Sequence, residues 1–293
     1  MKVALVILNY NSSGDCRKCI ADLKLQTGVE MEIIVVDNCS RDDDRLVVET
    51  LCEDSGCTFI ANPENCGYNA GNNIGLRYAA EKGFEYAMIC NPDMQFPQRD
   101  YLEKMAVILR DNTEVAVAAT DILHADGYHQ NPMKPDGGWF SSLQWIRNLF
   151  RHNTKDEALI YIDNWRENHY CHKVSGCCFM IRMSFLKQIN FFDEYPFLYC
   201  EEAILARQVE TAGMRMFYLS NCQAVHRHIK GMKGDPAPRL RQFLRSRIYF
   251  QKHYTNDSRI GKIIAISSWF FYVYILVAFY RFQTIIRIST TSK

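Results

Sequence analysis

The sequence predicts an α/β fold built on a mostly parallel, doubly wound sheet. Short apolar runs alternate with stretches that carry apolar residues at helical spacing throughout the first half of the chain. Continuous apolar runs are typical of strands buried on both faces, and parallel strands of this kind need helical crossovers between them. The chain has 293 residues, of which 48% are hydrophobic and 23% charged. It is therefore long enough for one large domain with an appendage, and its composition excludes a disordered or fibrous protein.

The elements of the first half follow from apolar spacing and from turn-forming residues. A continuous apolar run precedes the polar segment 9–14, and the helical pattern after it ends before Gly28. The same strand-then-helix pattern then repeats. In chain order we predict strand Val3–Leu8, helix Asp15–Gln26, strand Glu32–Val36, helix Arg45–Glu53, strand Cys57–Ala61, helix Asn69–Lys82, strand Tyr86–Cys90, helix Tyr101–Arg110 and strand Val115–Thr120.

The second half is less regular. Residues 121–170 are rich in Gly, Pro, His and Trp, which indicates either a functional loop region or a poorly ordered one. A further strand is predicted at Val174–Met180, a helix at Glu201–Thr211 and a basic helix at Arg239–His253. A run of 17 residues without a charge, Ile263–Phe279, follows.

The charges are unevenly distributed. The net charge of the whole chain is +1, but the segment from His226 to Lys293 carries 13 Lys and Arg residues against Asp235 and Asp257. That segment has a net charge of +11, so residues 1–225 carry −10. We expect no nucleic acid as a partner, and the split favours a tail that meets an anionic surface.

The twelve cysteines do not predict a disulfide framework or a zinc site. Cys16 and Cys19 form a lone CxxC pair, and no second pair stands at zinc-site spacing. The chain starts with the strand-like MKVALVILNYN rather than with a signal peptide. We therefore expect a cytoplasmic protein whose reduced thiols fill the core.

Three polar clusters directly follow predicted strands. In open α/β sheets, ligands bind outside the carboxyl ends of the strands, where such clusters come together. The sequence therefore predicts a binding site built from Asn9-Tyr10-Asn11, Asp37-Asn38 and Asn91-Pro92-Asp93.

Seven motifs in order resemble the family 2 glycosyltransferases, and above all their bacterial rhamnosyltransferase-like branch. They are LNYN, VDNCSRD, NCGYNAGNNIG, CNPD, SGCCFMIR, FDEYPFLYCEE and AVHRH, which run from about Val3 to about Tyr254. The resemblance implies a GT-A fold, the nucleotide-diphospho-sugar transferase fold, with a UDP- or dTDP-sugar donor. It also implies Mg²⁺ or Mn²⁺ as cofactor and inversion at the anomeric carbon.

The first two clusters are candidate nucleotide contacts. The ring of Tyr10 can pack on a nucleobase while the amides of Asn9 and Asn11 bind ribose or base; a polar loop with a buried Tyr is the alternative. The family uses the position of Asp37 to accept from N3–H of uracil or thymine. The alternative there is a helix-capping cluster.

The glycine-rich segment is a candidate diphosphate site. Gly67, Gly71 and Gly75 are four apart, and a helix N-terminus with the amides of Asn69 and Asn72 suits a nucleoside diphosphate. Tight helix–sheet packing explains the glycines equally well. Further along, Ser175 and the glycine after it offer a close approach beside the sugar.

The cluster Asn91-Pro92-Asp93 takes the place of the family's DxD motif. Asp93 is the expected oxygen ligand of the divalent cation, with Asn91 beside it, although an ordinary turn has the same residues. By resemblance His226 completes the metal or diphosphate site, with His228 as the alternative. A solvated side chain is the other interpretation of His226.

Glu201 and Glu202 are the candidate catalytic residues. An inverting transferase needs one base to take the proton of the acceptor hydroxyl. By resemblance Glu202 is that base and Glu201 orients acceptor or base, whereas an acidic helix N-terminus is the structural alternative. The chain departs from the family at Ile204, where a carboxylate is common.

The tail predicts membrane contact. Ile263–Phe279 is short for a span of about 20 residues, so we consider an interfacial helix, a true span and a helix packed in a homo-oligomer. The first two place the body at the inner face of the membrane, where we expect the acceptor to be a glycan, with a polyprenyl-diphosphate-linked one as the hypothesis. We divide the chain into a catalytic domain (1–225), a basic extension that completes the active site (226–258) and an apolar tail (259–293).

The leading hypothesis is a metal-dependent inverting glycosyltransferase of cell-surface polysaccharide synthesis. A nucleotidyltransferase would carry basic residues in the loop 9–14, which has none. A weakened or inactive nucleotide-sugar-binding partner of another transferase is the alternative that Ile204 favours. The enzyme hypothesis requires Asp93 and Glu202 to open into a common cavity.

Overall fold

A mixed sheet of nine strands is the centre of the computed structural model, which describes residues 1–148, 162–227 and 235–291. The strands are β1 (Lys2–Asn9), β2 (Glu30–Asn38), β3 (Thr58–Asn62), β4 (Tyr86–Cys90), β5 (Met94–Gln95), β6 (Val115–His124), β7 (His169–Cys171), β8 (Cys178–Arg182) and β9 (Arg215–His226). Their order in the sheet is β3-β2-β1-β4-β8-β6-β9-β5, and β7 also pairs with β9. β1 to β4, β6 and β9 run in one direction, and the other three strands run against them.

Helices cover both faces of the sheet, as the sequence predicts for a doubly wound fold. One core cluster joins the first face to α1 (Ser13–Leu23), α2 (Asp42–Ser55) and α4 (Tyr101–Asp111). The other joins the second face to α3 (Tyr68–Glu81), α6 (Met183–Gln188) and α7 (Glu201–Thr211). The connection after β6 contains a 3₁₀ turn (Trp139–Leu143) and α5 (Gln144–Asn148), and the chain ends in α8 (Ala237–His253) and α9 (Arg259–Thr291).

The strand predicted at Val174–Met180 is wrong in its bounds. β8 begins only at Cys178 and runs antiparallel between β4 and β6. Its first residue pairs with Cys90, the last residue of β4, and just before it the carbonyl of Cys177 accepts from the backbone N–H of Asn91 at 2.8 Å. Ser175 instead donates its backbone N–H to Asn131 Oδ1 at 2.7 Å, and the segment turns into the cleft described below.

The interval 121–170 is more regular than its composition predicts. β6 continues to His124 because β9 pairs with it, with His124 opposite His226. Residues 149–161 lie outside the described residues.

The glycines of α3 pack against the sheet, which is the alternative that the sequence left open. A Cβ on Gly71 would lie 2.6 Å from Leu8 Cδ1, and one on Gly75 would lie 2.6 Å from Val6 Cγ1. Gly67 has a φ of 107° and lies against the backbone of Phe197. These glycines let α3 approach β1 closely.

The tail helix is longer than its uncharged run. Within α9, the segment Arg259–Phe282 has 24 residues and is, by length and composition, able to cross a membrane; only 17% of its most apolar window is buried. One face packs on the rest of the chain, since Trp145 Nε1 donates to Ser268 Oγ at 2.8 Å. Large apolar side chains remain exposed elsewhere on the helix, among them Phe271, Tyr274 and Phe279.

Candidate functional site

Two adjoining clefts open at the carboxyl ends of the parallel strands. The larger has a volume of about 960 Å³ and is lined by residues of the 126–136 and 173–177 segments, the start of α7 and α8. The smaller has a volume of about 480 Å³ and lies over the end of β1 and the segment after β4. Tyr68, Asn91 and Leu198 line both, so the two clefts meet there.

The end of β1 is held by a buried polar network. Asn9 Nδ2 lies 2.8 Å from Asp37 Oδ1 and 3.0 Å from Asp44 Oδ2. The other oxygen of Asp37 accepts from the backbone N–H of Ser40 at 3.0 Å. Asn9 and Asp37 are both fully buried, so their observed contacts join two strand ends. Asp44, which sequence reasoning missed, belongs to this network.

Tyr10 is the exposed member of the first cluster. It is 54% exposed and lines the smaller cleft, where its ring is accessible to a ligand. Asn11 adopts a left-handed conformation with a φ of 54°, and its Oδ1 accepts from the backbone N–H of Arg41 at 3.0 Å. Only Tyr10 of this cluster therefore faces the smaller cleft.

Asn69 and Asn72 do not point their amides at a diphosphate, because both side chains are buried and bonded to backbone. Asn69 Nδ2 donates to the carbonyl of Asp193 at 2.8 Å, and Asn72 Nδ2 donates to that of Tyr68 at 3.0 Å. The amides hold α3 and the segment after α6 in place. We therefore omit them from the ligand residues proposed below.

Asp93 and His226 come together although they lie far apart in the sequence. β5 pairs with β9 so that Met94 stands opposite His226, which brings Asp93 Oδ1 to 3.2 Å from His226 Nε2. His226 Nδ1 lies 3.0 Å from Gln130 Oε1, which fixes the orientation of the ring. His228 lies outside the described residues.

Asp93 and His226 fit a divalent cation that a substrate completes. A carboxylate oxygen and an imidazole nitrogen suit Mn²⁺, and Mg²⁺ also takes one or two carboxylates with substrate phosphates and waters. Within the described ranges, no group of three or more His, Cys, Asp or Glu side chains forms a closed metal site. A cation here would therefore depend on the ligand for much of its coordination.

Tyr68 links the two clefts and was not singled out in the sequence. Its hydroxyl lies 2.8 Å from both Asn91 Oδ1 and the carbonyl of Gly176. Burial raises the pKa of this phenol well above its usual value, so it stays neutral. Its position inside the NCGYNAG segment is the only signal the sequence offered.

The acidic pair opens α7 after a constrained turn. Tyr199 and Cys200 both have positive φ angles, 76° and 70°, which side-chain-bearing residues rarely adopt. The turn directs Glu201 and Glu202 to the larger cleft. Glu202 Oε1 accepts from the backbone N–H of Gly176 at 3.3 Å.

Glu201 is the perturbed member of the pair. Burial, followed by repulsion from Glu202, raises the pKa of Glu201 from 4.5 to about 7. Its Oε1 is buried and accepts no hydrogen bond from the residues that the structure describes. The pair therefore resists carrying two negative charges at neutral pH.

Asp93 lines the smaller cleft, whereas Glu202 lines the larger one together with His226. The expectation that Asp93 and Glu202 open into one common cavity is therefore wrong as stated, because Tyr68, Asn91 and Leu198 stand where the two clefts meet. Asp93 and Glu202 both lie near the thiol of Cys177. Burial raises the pKa of that thiol, and the negative charges of Asp93 and Glu202 raise it further. Ser175 also lines the larger cleft.

Ile204 does not face the clefts. It is fully buried and packs with Cys200, Ala203 and Phe250 between α7 and α8. The residue that replaces the family's carboxylate therefore serves the contact between these helices.

Comparison with known sequences identifies relatives over most of the chain. The family model described as glycosyl transferase family 2 matches residues 4–189. The low-salt glycan biosynthesis hexosyltransferase Agl10 of Haloferax volcanii is 26% identical over 226 residues, which cover 76% of this chain and 66% of that protein. The rhamnosyltransferase WbbL of Escherichia coli is 23% identical, covering 76% and 83%. The N-acetylglucosaminyl-diphospho-decaprenol L-rhamnosyltransferase of Mycobacterium tuberculosis is 22% identical, covering 80% and 79%.

Solved structures share the fold. The mannosyltransferase PcManGT of Pyrobaculum calidifontis, in complex with GDP-Man and Mn²⁺, has a TM-score of 0.59 at 17% identity and covers 92% of this chain and 69% of that one. TarS 1-349 of S. aureus in complex with UDP has a TM-score of 0.55 at 15% identity, covering 92% and 71%. At these identities the likeness concerns the fold alone. Because the family model matches more than half of the chain, the protein belongs to glycosyl transferase family 2, and it has the GT-A fold that its motifs resemble.

Proposed function

We propose that the protein is a metal-dependent inverting glycosyltransferase that moves a sugar from a UDP- or dTDP-sugar to a hydroxyl of a lipid-linked glycan. The observation that carries this proposal is the arrangement of two reactive groups at two clefts that meet. Asp93 and His226 form a pair 3.2 Å apart, and Glu201 and Glu202 stand across the junction.

The donor would bind across the smaller cleft, with its base near Tyr10 and its diphosphate near Asp93 and His226. A divalent cation held there would neutralise the charge that develops on the departing nucleoside diphosphate. Asp37 is retained as a proposed reader of uracil or thymine that acts only if the buried network around it opens. Asn91 and Ser175 would line the sugar side of the donor.

The acceptor would occupy the larger cleft, with Glu202 as the base. Its Oε1 is positioned by the Gly176 N–H and opens to the cleft that the acceptor would fill. Glu201 would orient the acceptor or the base from its place beside Glu202 in the same cleft. As Glu202 takes the hydroxyl proton, the acceptor oxygen would bond to the anomeric carbon from the face opposite the nucleoside diphosphate. The bond from that carbon to the diphosphate would break in the same step, and the configuration would invert.

Two observations support a lipid-linked acceptor at the inner face of the membrane. The Arg259–Phe282 segment exposes an apolar surface beside a basic helix. One relative is named for an acceptor built on a polyprenyl diphosphate. Of the three interpretations of the tail, we propose one of the two that place it in contact with lipid; packing in a homo-oligomer is the alternative.

The test is a panel of nucleotide sugars with purified full-length protein, scored by nucleoside diphosphate release with Mg²⁺, with Mn²⁺ and with EDTA. We expect release with a UDP- or dTDP-sugar that requires the cation. Asp93→Asn and Glu202→Gln should each lower transfer on the order of 10²- to 10⁴-fold. Asp43→Asn and Glu210→Gln, which remove exposed carboxylates, are the matched controls.

Retained transfer in both Asp93→Asn and Glu202→Gln would refute the proposal. A folded protein that binds nucleotide sugar but turns over no donor would instead identify a non-catalytic partner of another transferase. Ile204 favours neither of these two outcomes. It stands where the family often has a carboxylate, but its side chain packs against α8 and does not line the cleft.

A further inference from the structure

A cationic corner lies at the end of the larger cleft next to α8. Lys173 Nζ lies 2.7 Å from Asp136 Oδ2, and Arg247 reaches the other oxygen of the same carboxylate at 3.4 Å. All three residues line the cleft, and the Lys173 side chain is only 10% exposed. We call these three residues the cationic corner.

The corner carries more positive than negative charge. One carboxylate faces two cations, and charges withdrawn from water are costly unless they are paired. Arg247 Nε is buried and, within the described part of the chain, donates to no acceptor. Among the described residues Arg247 forms its ion pair with Asp136, not with Glu201 or Glu202. The corner can therefore accept a further anion.

The donor set fits a phosphoryl group. A guanidinium presents five N–H donors in a planar fork that matches phosphate oxygens, and an ammonium adds a point charge. Arg247 also lies close to the acidic pair, since its Nη1 is 4.0 Å from the Sγ of Cys200, the residue before Glu201. A group bound here would place what is attached to it beside those carboxylates.

The corner also borders the apolar tail helix. The guanidinium of Arg247 lies 4.7 Å from the ring centre of Trp269 on α9. Phe243, which lines the cleft, packs edge-on against the same Trp269 at 5.6 Å. The chain thus presents an apolar helix, then two cations, then two carboxylates, in an order that matches a lipid tail, its diphosphate and a sugar hydroxyl.

We propose that Lys173 and Arg247 bind the diphosphate of a polyprenyl-diphosphate-linked acceptor, with its tail along α9 and its glycan directed to Glu202. The inference rests on the proposed function, whose acceptor it specifies. It assigns to the basic extension a role in acceptor binding, separate from the metal and donor residues.

The test measures binding to full-length protein in a non-ionic detergent, with farnesyl diphosphate, inorganic pyrophosphate and UDP as probes. We expect Arg247→Gln and Lys173→Gln each to weaken farnesyl diphosphate binding roughly tenfold or more, because each removes a charged donor. UDP binding should stay unchanged. Arg245→Gln, an exposed arginine on the same helix, is the matched control and should bind as wild type. Arg247→Lys keeps the positive charge but not the planar guanidinium. Its affinity for farnesyl diphosphate should therefore lie between that of the wild type and that of Arg247→Gln.

Four outcomes would overturn the proposal. The first is unchanged farnesyl diphosphate binding in both Arg247→Gln and Lys173→Gln, and the second is an equal loss of that binding in Arg245→Gln. The third is that the two variants lose affinity for UDP and not for farnesyl diphosphate. The fourth is that the wild type binds pyrophosphate as tightly as farnesyl diphosphate. The last would mean that no lipid tail is recognised. Because the assay needs no turnover, failure of every donor in the transfer assay would refute the proposed function and leave this result interpretable. Thermal unfolding of each variant checks that it is folded.

Discussion

At the scale of single residues, the acidic pair shows how position alters chemistry. Glu201 and Glu202 are identical in type and adjacent in sequence, yet burial and repulsion raise the pKa of Glu201 to about 7. A carboxylate protonated in half of the molecules near neutrality changes both the proton balance of the cleft and the free energy of folding. Two predictions follow from this shift.

The first concerns the pH dependence of transfer. We expect kcat/KM to rise with pH through about 7 as Glu201 ionises, because the charge that Glu201 gains beside the base strengthens the attraction of the pair for the hydroxyl proton. In Glu201→Gln this ionising group is absent, so the rise near pH 7 should disappear while transfer is retained. A pH–rate profile of both proteins checks this, and loss of all transfer in Glu201→Gln would make Glu201 the base.

The second concerns stability. A carboxyl group whose pKa is higher in the folded than in the unfolded state binds its proton more tightly when folded, so its stabilising effect is complete at low pH. It is lost as pH rises from about 4.5 to about 7. Glu201→Gln should therefore be more stable than wild type at pH 8, by up to about 3 kcal/mol, and the difference should shrink towards pH 4.5.

Urea unfolding at several pH values checks the stability prediction. Glu53→Gln, on the exposed surface of α2, controls for the loss of a carboxylate as such. A stability difference between Glu201→Gln and wild type that does not vary with pH would contradict the prediction.

At the scale of elements, close packing of α3 on β1 sets the floor of the site. α3 carries Tyr68 at its first turn, and that hydroxyl connects the segment after β4 to the turn before β8. The helix can reach this position only because glycines face the strand. The two clefts therefore meet at Tyr68 only because α3 packs closely on β1.

Substitution of one glycine tests this packing. Gly75→Ala places a Cβ 2.6 Å from Val6 Cγ1, so we expect a loss of about 1–3 kcal/mol of unfolding free energy from overpacking. Gly14→Ala, in α1 with nothing near the added Cβ, is the matched control. It should be neutral or stabilising by up to about 1 kcal/mol. Chemical denaturation measures both, and equal effects would contradict the packing argument.

At the scale of the whole molecule, the distribution of charge and apolar surface predicts how the protein is placed in the cell. Residues 1–225 are acidic and the segment after them is basic, and α9 exposes large apolar side chains. A basic segment next to an apolar helix favours the cytoplasmic leaflet, because anionic lipids attract the former and the bilayer takes up the latter.

Cell fractionation tests this placement. We expect the full-length protein in the membrane fraction, and Phe271→Asp with Phe279→Asp should shift it to the soluble fraction, because a charge in the apolar surface opposes insertion. Leu46→Asp, an equally exposed apolar residue on α2, is the control and should not move it. Recovery of the unaltered protein in the soluble fraction at low salt without detergent would contradict membrane association.

The sequence by itself determined the alternation of strands and helices, the doubly wound sheet and the family, because these follow from local periodicity and from residues that are close in the chain. The tertiary structure alone decided which side chains meet. The pairing of β5 with β9 brings Asp93 to His226, and the end of β4 fixes where β8 begins. The tertiary structure also showed that the side chains of four predicted ligand residues form hydrogen bonds within the protein: Asn9, Asp37, Asn69 and Asn72. Such partners come from strands and helices distant in sequence, and no local pattern specifies which of them a polar side chain will face.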